Sequence, residues 1–319
     1  MEGIINVLKP PGMTSSDVVV WMRKVLKIKK IGHTGTLDPG VAGVLPLCVG
    51  KGTRLAEYIT EQGKAYLAEI AFGITTDTQD SFGKVIQVTS PVLRQSDLER
   101  VLPGFMGKIA QTPPMYSAVR KEGKHLYEYA RQGLVIERTT REVSIYKLTL
   151  EKWYEGEFPR ALVTIECSKG TYIRTLCHDL GQALGCGAHM SYLLRVRSGP
   201  FKIQESWTLE EIEEAAREAS YPFLLPLTVG IDLPQVFLSA VRANAFRHGL
   251  PTKRELVKVP PNSWFEGRGS SFETETGVRT SNIGDRISNA SYVQVMEDGE
   301  LIGIGIWRED SLFPHKVFG

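Results

Sequence analysis

The chain has 319 residues, 42% of them hydrophobic and 23% charged, with a formal net charge of +2. That length suits two domains, or one large domain with a module, and no apolar run approaches the ~18–20 residues of a membrane span. A near-neutral balance excludes a globally basic protein, so a polyanionic partner has to be met by local patches. Four cysteines in so long a chain make no disulfide framework, and the start Met1-Glu-Gly-Ile-Ile carries no signal-peptide pattern. The reading is a soluble, cytoplasmic protein.

In chain order, Ile4 to Leu8 reads as a short strand ending at Lys9-Pro-Pro-Gly12. Thr14 to Asp17 offers N-cap residues for an amphipathic helix to about Leu26. That helix runs into Arg23, Lys24, Lys27, Lys29 and Lys30, a basic cluster holding no acid, open to reading as a solvated face or as a phosphate contact. Next comes Ile31 to Gly50, whose interior glycines Gly32, Gly35, Gly40 and Gly43 allow sharp turns and close approach of a ligand. It carries one acid, Asp38, and one histidine, His33. Pro39 drives Asp38 out of the helical region, and Val44 to Val49 reads as a buried strand. A carboxylate on a stiff loop backed by a strand is a candidate active site. Gly50-Lys-Gly-Thr53 lacks the spacing of a phosphate loop, and Thr53 to Thr60 reads as a helix.

Lys64 to Phe72 alternates as a strand, with Tyr66 on one face. Asp77 and Asp80 lack the glycine and distal glutamate of a calcium loop and read as turn-forming acids. Lys84 to Val88 is a strand and Ser96 to Leu102 a short helix. Residues 103–147 hold eight Lys or Arg against four Glu, interleaved with Tyr116, His125, Tyr127 and Tyr129. Basic residues mixed with aromatic ones suit a looped RNA; a basic surface over half-buried tyrosines is the plainer alternative. Val143 to Leu150 and Ala161 to Cys167 are strands, and Cys167 leads through Gly170 into a helix to Leu184 with Arg174 in its first turns. Cys177, His178, Cys186 and His189 lack the paired spacing of a zinc site, so no metal is expected. Tyr192 to Arg197 is a strand, and Thr208 to Ala219 an acidic helix with a capping-box start at Thr208 and Glu211. From about Ile231, short strands such as Gln235 to Leu238, Leu256 to Val259, Tyr292 to Met296 and Leu301 to Trp307 suggest a small β module. A hairpin is expected at Asp298-Gly299 and a polar, mobile loop over Asn262 to Ser288.

Seven blocks in order across about residues 3–200 resemble the bacterial tRNA pseudouridine-55 synthase family of TruB type. They are Lys9-Pro-Pro-Gly-Met-Thr-Ser15, Gly32-His-Thr-Gly-Thr-Leu-Asp-Pro39, Lys64-Ala-Tyr66, Pro113-Pro-Met-Tyr-Ser-Ala118, Leu126-Tyr-Glu-Tyr-Ala-Arg-Gln-Gly133, Ser168-Lys-Gly-Thr-Tyr-Ile-Arg-Thr175 and Leu184-Gly-Cys-Gly-Ala-His189. Two departures stand out: Leu8 where the family usually has Asp, and Leu194 where it often shows the first of two arginines. Both read as the loss of a peripheral charge. The resemblance implies an α/β (α+β) catalytic domain over residues 1–230 on a mixed, mainly antiparallel sheet, with a C-terminal β-barrel PUA-like module over 231–319. Residues 103–147 become a basic insertion that clamps RNA. The implied activity is isomerisation of uridine 55 in the tRNA T loop to pseudouridine by a monomer, without cofactor or metal.

The resemblance also distributes roles. Asp38 is the nucleophile, and Arg174 pairs with it to offset the cost of burial. Tyr66 stacks on the flipped uracil and helps remove the C5 proton, while Tyr172 and Leu193 wall the base pocket. His33 fills the emptied stack and Lys9 contacts the substrate. Flipping is required because the target atom is out of reach in a stacked loop. A tRNA-folding protein would need the RNA surface but not the Asp38, Tyr66 and Arg174 set, and an isomerase can carry that role as well. A guide-RNA-dependent relative acting on ribosomal RNA is disfavoured by the long insertion and the absence of extended tails.

Overall fold

The computed structural model describes residues 1–260 and 292–318. A ten-stranded sheet carries the first part of the chain. Its path runs from Leu224–Leu225 through Gly3–Lys9, Ala42–Val49, Ala188–Ser198, Lys64–Phe72, Arg160–Cys167 and Arg141–Tyr154 to Gly107–Gln111, with Ile31–His33 and Phe201–Lys202 at its sides. Pairing is antiparallel except at one splice, where Ala42–Val49 meets Ala188–Ser198 in parallel through Leu194 with Ala42 and Arg195 with Gly43. A Cβ on Gly43 would lie 2.3 Å from the Arg195 carbonyl oxygen, and its φ is +126°, so this close approach needs glycine. The splice is what brings the Asp38 loop beside the strand of Leu193 and Arg195.

Each face of the sheet is covered for a sequence reason. Thr14 and Asp17 form a capping box that starts the helix Ser15–Leu26. Its Val18, Val19 and Met22 bury against Ile5, Val7, Leu45 and Leu47, worth about 1.5–3 kcal/mol per fully buried side chain. The helix Ile173–Ala183 turns Ile173, Leu176, Cys177 and Leu180 into a second cluster with Tyr66, Ala68, Ile70, Phe72 and Leu193. Thr208 caps the acidic helix Leu209–Arg217 through Glu211, as its sequence predicts.

The tail forms a five-stranded sheet in the order Gln235–Phe237, Tyr292–Glu297, Glu300–Arg308, Ser311–Val317, Thr252–Lys253, a curled, PUA-like β module. Asp298 and Gly299 both take left-handed φ at the tip of the expected hairpin. Leu55 and Tyr58 share an apolar cluster with Ile231, Ile304 and Phe318, and Lys316 pairs with Glu57, so the module rests on the 50–60 segment.

Several expectations need correction. Residues 256–259 form no strand: Arg254–Leu256 is a 3-10 turn, and only Lys258 bonds across, to Phe237. Pro260 supplies no N–H to extend that ladder. The helix expected over 53–60 is a 3-10 segment, Gly50–Leu55, before a short α-helix, Ala56–Thr60. The tail is not all β, because Ala240–Arg247 is a helix that buries only Ala243 and Phe246, too little to show as a period. Residues 103–147 are not wholly an insertion: Gly107–Gln111 and the start of Arg141–Tyr154 pair with each other at the sheet edge. The polar loop expected over 262–288 lies outside the described residues.

Candidate active site

The Asp38 loop begins where Ile31–His33 leaves its partner strand and ends where Ala42 rejoins it. Nearly every turn of it is tied down by a side chain from elsewhere. The Ser15 hydroxyl accepts the Leu37 N–H at 2.9 Å and donates to its carbonyl at 3.3 Å. The Pro39 carbonyl accepts from Gly12 N–H at 2.8 Å and from Lys9 Nζ at 3.3 Å. Val41 N–H closes a turn onto the Asp38 carbonyl at 3.0 Å. Arg195 donates to the carbonyls of Val44 at 2.7 Å, Gly35 at 3.2 Å and Thr36 at 3.4 Å. Asp38 is therefore presented with little freedom, which favours a reacting group that must meet one atom.

Asp38 Oδ2 lies 3.0 Å from Arg174 Nε. Arg174 is 5% exposed and spends its other donors on Asp80 Oδ2 at 3.4 Å, the Thr78 carbonyl at 3.2 Å and the Tyr116 carbonyl at 3.0 Å. The Asp38 side chain keeps 42% of its surface open. Burial raises its pKa above the usual 3.8; Arg174 and Lys9 pull it down, and Asp80 pushes it up again. The pairing expected from the sequence is present, but Arg174 is shared between two carboxylates and offsets burial only in part. Asp80 is more than a turn-forming acid. Its Oδ1 does hold the turn, accepting the Thr78 hydroxyl at 2.7 Å and the Phe82 N–H at 3.0 Å, while Oδ2 fixes Arg174.

Tyr66 stands in register with Arg195 across the Lys64–Phe72 and Ala188–Ser198 strands and is buried. Burial pushes its hydroxyl up to about 12 although the neighbouring Arg195 charge pulls the other way; the phenol is protonated at neutral pH. Leu193 and Tyr66 pack in one cluster with Leu37 and Val41 of the loop, so the structure joins both of these expected residues to the Asp38 loop. Tyr172 caps the Arg174 helix. Its backbone is clamped by Gln111, which accepts its N–H at 3.0 Å and donates to its carbonyl at 3.2 Å, and Arg141 lies 4.9 Å over its ring.

His33 sits at the other end of the loop. Its Nδ1 accepts the Gly35 N–H at 3.4 Å, and burial, aided by Arg195, lowers its pKa, so the imidazole is neutral. It lines a groove of about 350 Å³ with Ser16, Val19, Val20, Arg23, Ile31 and Gly32. Lys9, expected at the substrate, is instead fully buried. Its ammonium donates to the carbonyls of Pro10, Met13 and Pro39, and burial lowers its pKa to about 8. With three protons for three carbonyls it is a brace between the first turn and the loop.

Arg195 is the residue that sequence reasoning missed. The sequence reading assigns it no role, yet it is 1% exposed, among the largest fully buried side chains, and meets no carboxylate among the described residues. One signal was available: it shares strand parity with Leu193, so an arginine stands on the core-facing side. Among the described residues, no three of His, Cys, Asp and Glu converge as a metal site requires.

Residues 112–140 leave the sheet and form a small hairpin, Arg120–Lys121 with Lys124–His125, and a short helix, Leu126–Arg131. The aromatic rings there are already engaged: His125 stacks on Tyr127 at 5.2 Å, Arg131 lies 5.3 Å from the Tyr127 ring and Lys124 5.9 Å from that of Tyr129. The segment combines cations and π-faces on one surface.

The chain can now be compared with known proteins. Residues 23–173 match the TruB family pseudouridylate synthase N-terminal domain, and 174–229 the tRNA pseudouridylate synthase B C-terminal domain. A tRNA pseudouridine synthase B of Symbiobacterium thermophilum is 52% identical over 252 residues, 78% of this chain and 83% of that protein. One of Heliobacterium mobile is 40% identical over 322 residues, covering 99% of this chain and 95% of its own, tail included. Among solved structures, an H/ACA RNP bound to a substrate RNA containing 2'-deoxyuridine aligns with TM-score 0.69 at 25% identity, and a Cbf5-Nop10-Gar1 complex with TM-score 0.71 at 27%; each covers 99% of this chain and 85% of the matched chain. The chain belongs to the TruB family of pseudouridylate synthases.

Proposed function

We propose that this protein isomerises uridine 55 in the T loop of tRNA to pseudouridine, with Asp38 as nucleophile. Its family makes it an isomerase, and its relatives are named for pseudouridine synthesis in tRNA. The reaction breaks the bond from ribose to uracil N1, turns the base and joins ribose to C5. A proton leaves C5 and one is taken up at N1, so nothing is oxidised and no cofactor is consumed. The target uridine has to be flipped out of its stack onto the open side of Asp38.

Each nearby side chain then has a task. Asp38, ionised and fixed by Arg174, forms the covalent bond to the nucleoside. Tyr66 stacks on the uracil; its hydroxyl gives its proton to N1 and, as a phenolate stabilised by the Arg195 cation, takes the proton that leaves C5. Leu193 and Tyr172 close the pocket against water, which would otherwise capture the broken bond. His33, neutral and partly exposed, fills the space that the uridine leaves. Asp80 is buried and committed to Arg174 and its own turn, so the site lacks the free second carboxylate of most glycoside hydrolases. The 112–140 surface grips the T arm, and the same grip supports a tRNA-folding role.

The observation that carries this reading is the Asp38–Arg174 contact of 3.0 Å on a loop braced from beneath by Lys9, Ser15 and Arg195. The test is incubation with an unmodified tRNA transcript and no other RNA or protein, followed by single-nucleotide mapping of pseudouridine. Modification confined to the T-loop uridine is expected. No product, or product only when a second RNA is supplied, would overturn it.

A further inference from the structure

Phe82 is an aromatic side chain with no apolar role inside the protein: it is 79% exposed. Its position is nonetheless well defined. The Phe82 N–H is held by Asp80 Oδ1 at 3.0 Å, the carboxylate whose other oxygen fixes Arg174. The preceding Ser81 is stitched to the Ala188–Ser198 strand, its N–H donating to the Met190 carbonyl at 3.1 Å and its hydroxyl to that of Ser191 at 3.0 Å. The ring edge rests on Gly40, two residues past Asp38. A Cβ on Gly40 would lie 2.3 Å from Phe82 Cε2 and 2.4 Å from Cζ, and the three nearest atoms all belong to that ring. Gly40 is absent from the positive-φ positions, so its backbone would accept a side chain. A side chain at position 40 would have to displace the Phe82 ring.

A solvent-facing phenyl ring beside the Asp38 loop, its backbone held by Asp80, has one efficient use in RNA chemistry. A base lifted from its stack loses a π-neighbour on each side, and an aromatic face restores one. We propose that Phe82 is a stacking platform for the nucleobase adjacent to the flipped uridine. This rests on the isomerase reading above and names a second base-binding position for the same site. The platform is joined to the catalytic groups by both its mounts, Gly40 on the Asp38 loop and Asp80 on Arg174, so a base docked on it sets the height of the neighbouring uridine over Asp38.

The test compares the wild type with Phe82→Ala, Phe82→Trp, Gly40→Ala and the Gly40→Ala/Phe82→Ala pair, on tRNA transcripts carrying either a normal or an abasic nucleotide on each side of the target. Fold is not at risk from Phe82→Ala, since the side chain is exposed. KM for the normal transcript should rise between roughly 5- and 150-fold in Phe82→Ala, the range of one base–aromatic stack, with kcat changed much less. Phe82→Trp should restore it. One abasic transcript should cost the wild type a similar factor and cost Phe82→Ala nothing further. Gly40→Ala, which displaces the ring, should raise KM alone yet have no added effect beside Phe82→Ala. An unchanged KM in Phe82→Ala, or an abasic loss that multiplies with it at both positions, overturns the platform. A wild type that makes no pseudouridine on the normal transcript defeats the isomerase reading itself.

Discussion

The Asp38 loop and the 112–140 segment are built on opposite principles. In the loop, backbone carbonyls and N–H groups are met by the buried side chains of Lys9, Ser15 and Arg195, and Arg174 holds the Asp38 carboxylate. In the segment, the charges are largely solvent-facing and the rings of Tyr127 and Tyr129 are covered by the segment's own Arg131 and Lys124. The first region holds one geometry; the second exchanges partners at low cost, as a surface for a polyanion should. Changes in the loop region should therefore act on turnover, and changes in the segment on affinity.

The largest expected effect is that of Asp38→Asn, a loss in kcat on the order of 10⁴- to 10⁶-fold, as for removal of other catalytic nucleophiles. tRNA binding should stay within about tenfold, because the phosphate contacts remain; filter binding beside single-turnover assays separates the two. Arg174→Lys follows, with kcat falling about 10²- to 10³-fold, since lysine cannot reach Asp38, Asp80 and the Tyr116 carbonyl together. The pH profile gives a related reading. The folded-state pKa of Asp38 is raised by burial and its ionised form reacts, so kcat is retained above that pKa and lost as pH falls through it, at an inflection above 3.8. Arg174→Lys should move that inflection further up; a downward shift would separate Arg174 from the nucleophile.

Arg195→Met should cost about 3 kcal/mol of stability, because the Gly35, Thr36 and Val44 carbonyls lose their donor, measurable as a lowered denaturant midpoint with an unchanged slope. The smallest effects belong to the segment. Arg120→Ala and Lys124→Ala should each weaken binding a few-fold and reduce the salt slope by about 1, with kcat intact. A kcat loss in either would break the division between the two regions.

What could be read from the chain follows from locality. The N-cap at Thr14, the capping box at Thr208 and the strands Lys64–Phe72 and Arg160–Cys167 were legible because their signals lie within a few residues. The Asp38, Tyr66 and Arg174 set was legible only through resemblance, since three distant segments supply it. Arg195 stayed hidden because its role arises from the parallel splice at Ala42 and Gly43, a pairing across some 150 residues that no local pattern encodes. Gln111 and Asp80 were hidden likewise: each looks like an ordinary polar turn residue until Tyr172 and Arg174 are folded against them. The Ala240–Arg247 helix escaped because so little of it is buried.

The most direct test of the central claim compares wild type and Asp38→Asn on one unmodified tRNA transcript, with binding and pseudouridine formation measured in the same samples. Equal retention of the transcript, with product at the T-loop uridine from the wild type alone, is the predicted result. Pseudouridine from Asp38→Asn at a rate near that of the wild type would contradict it.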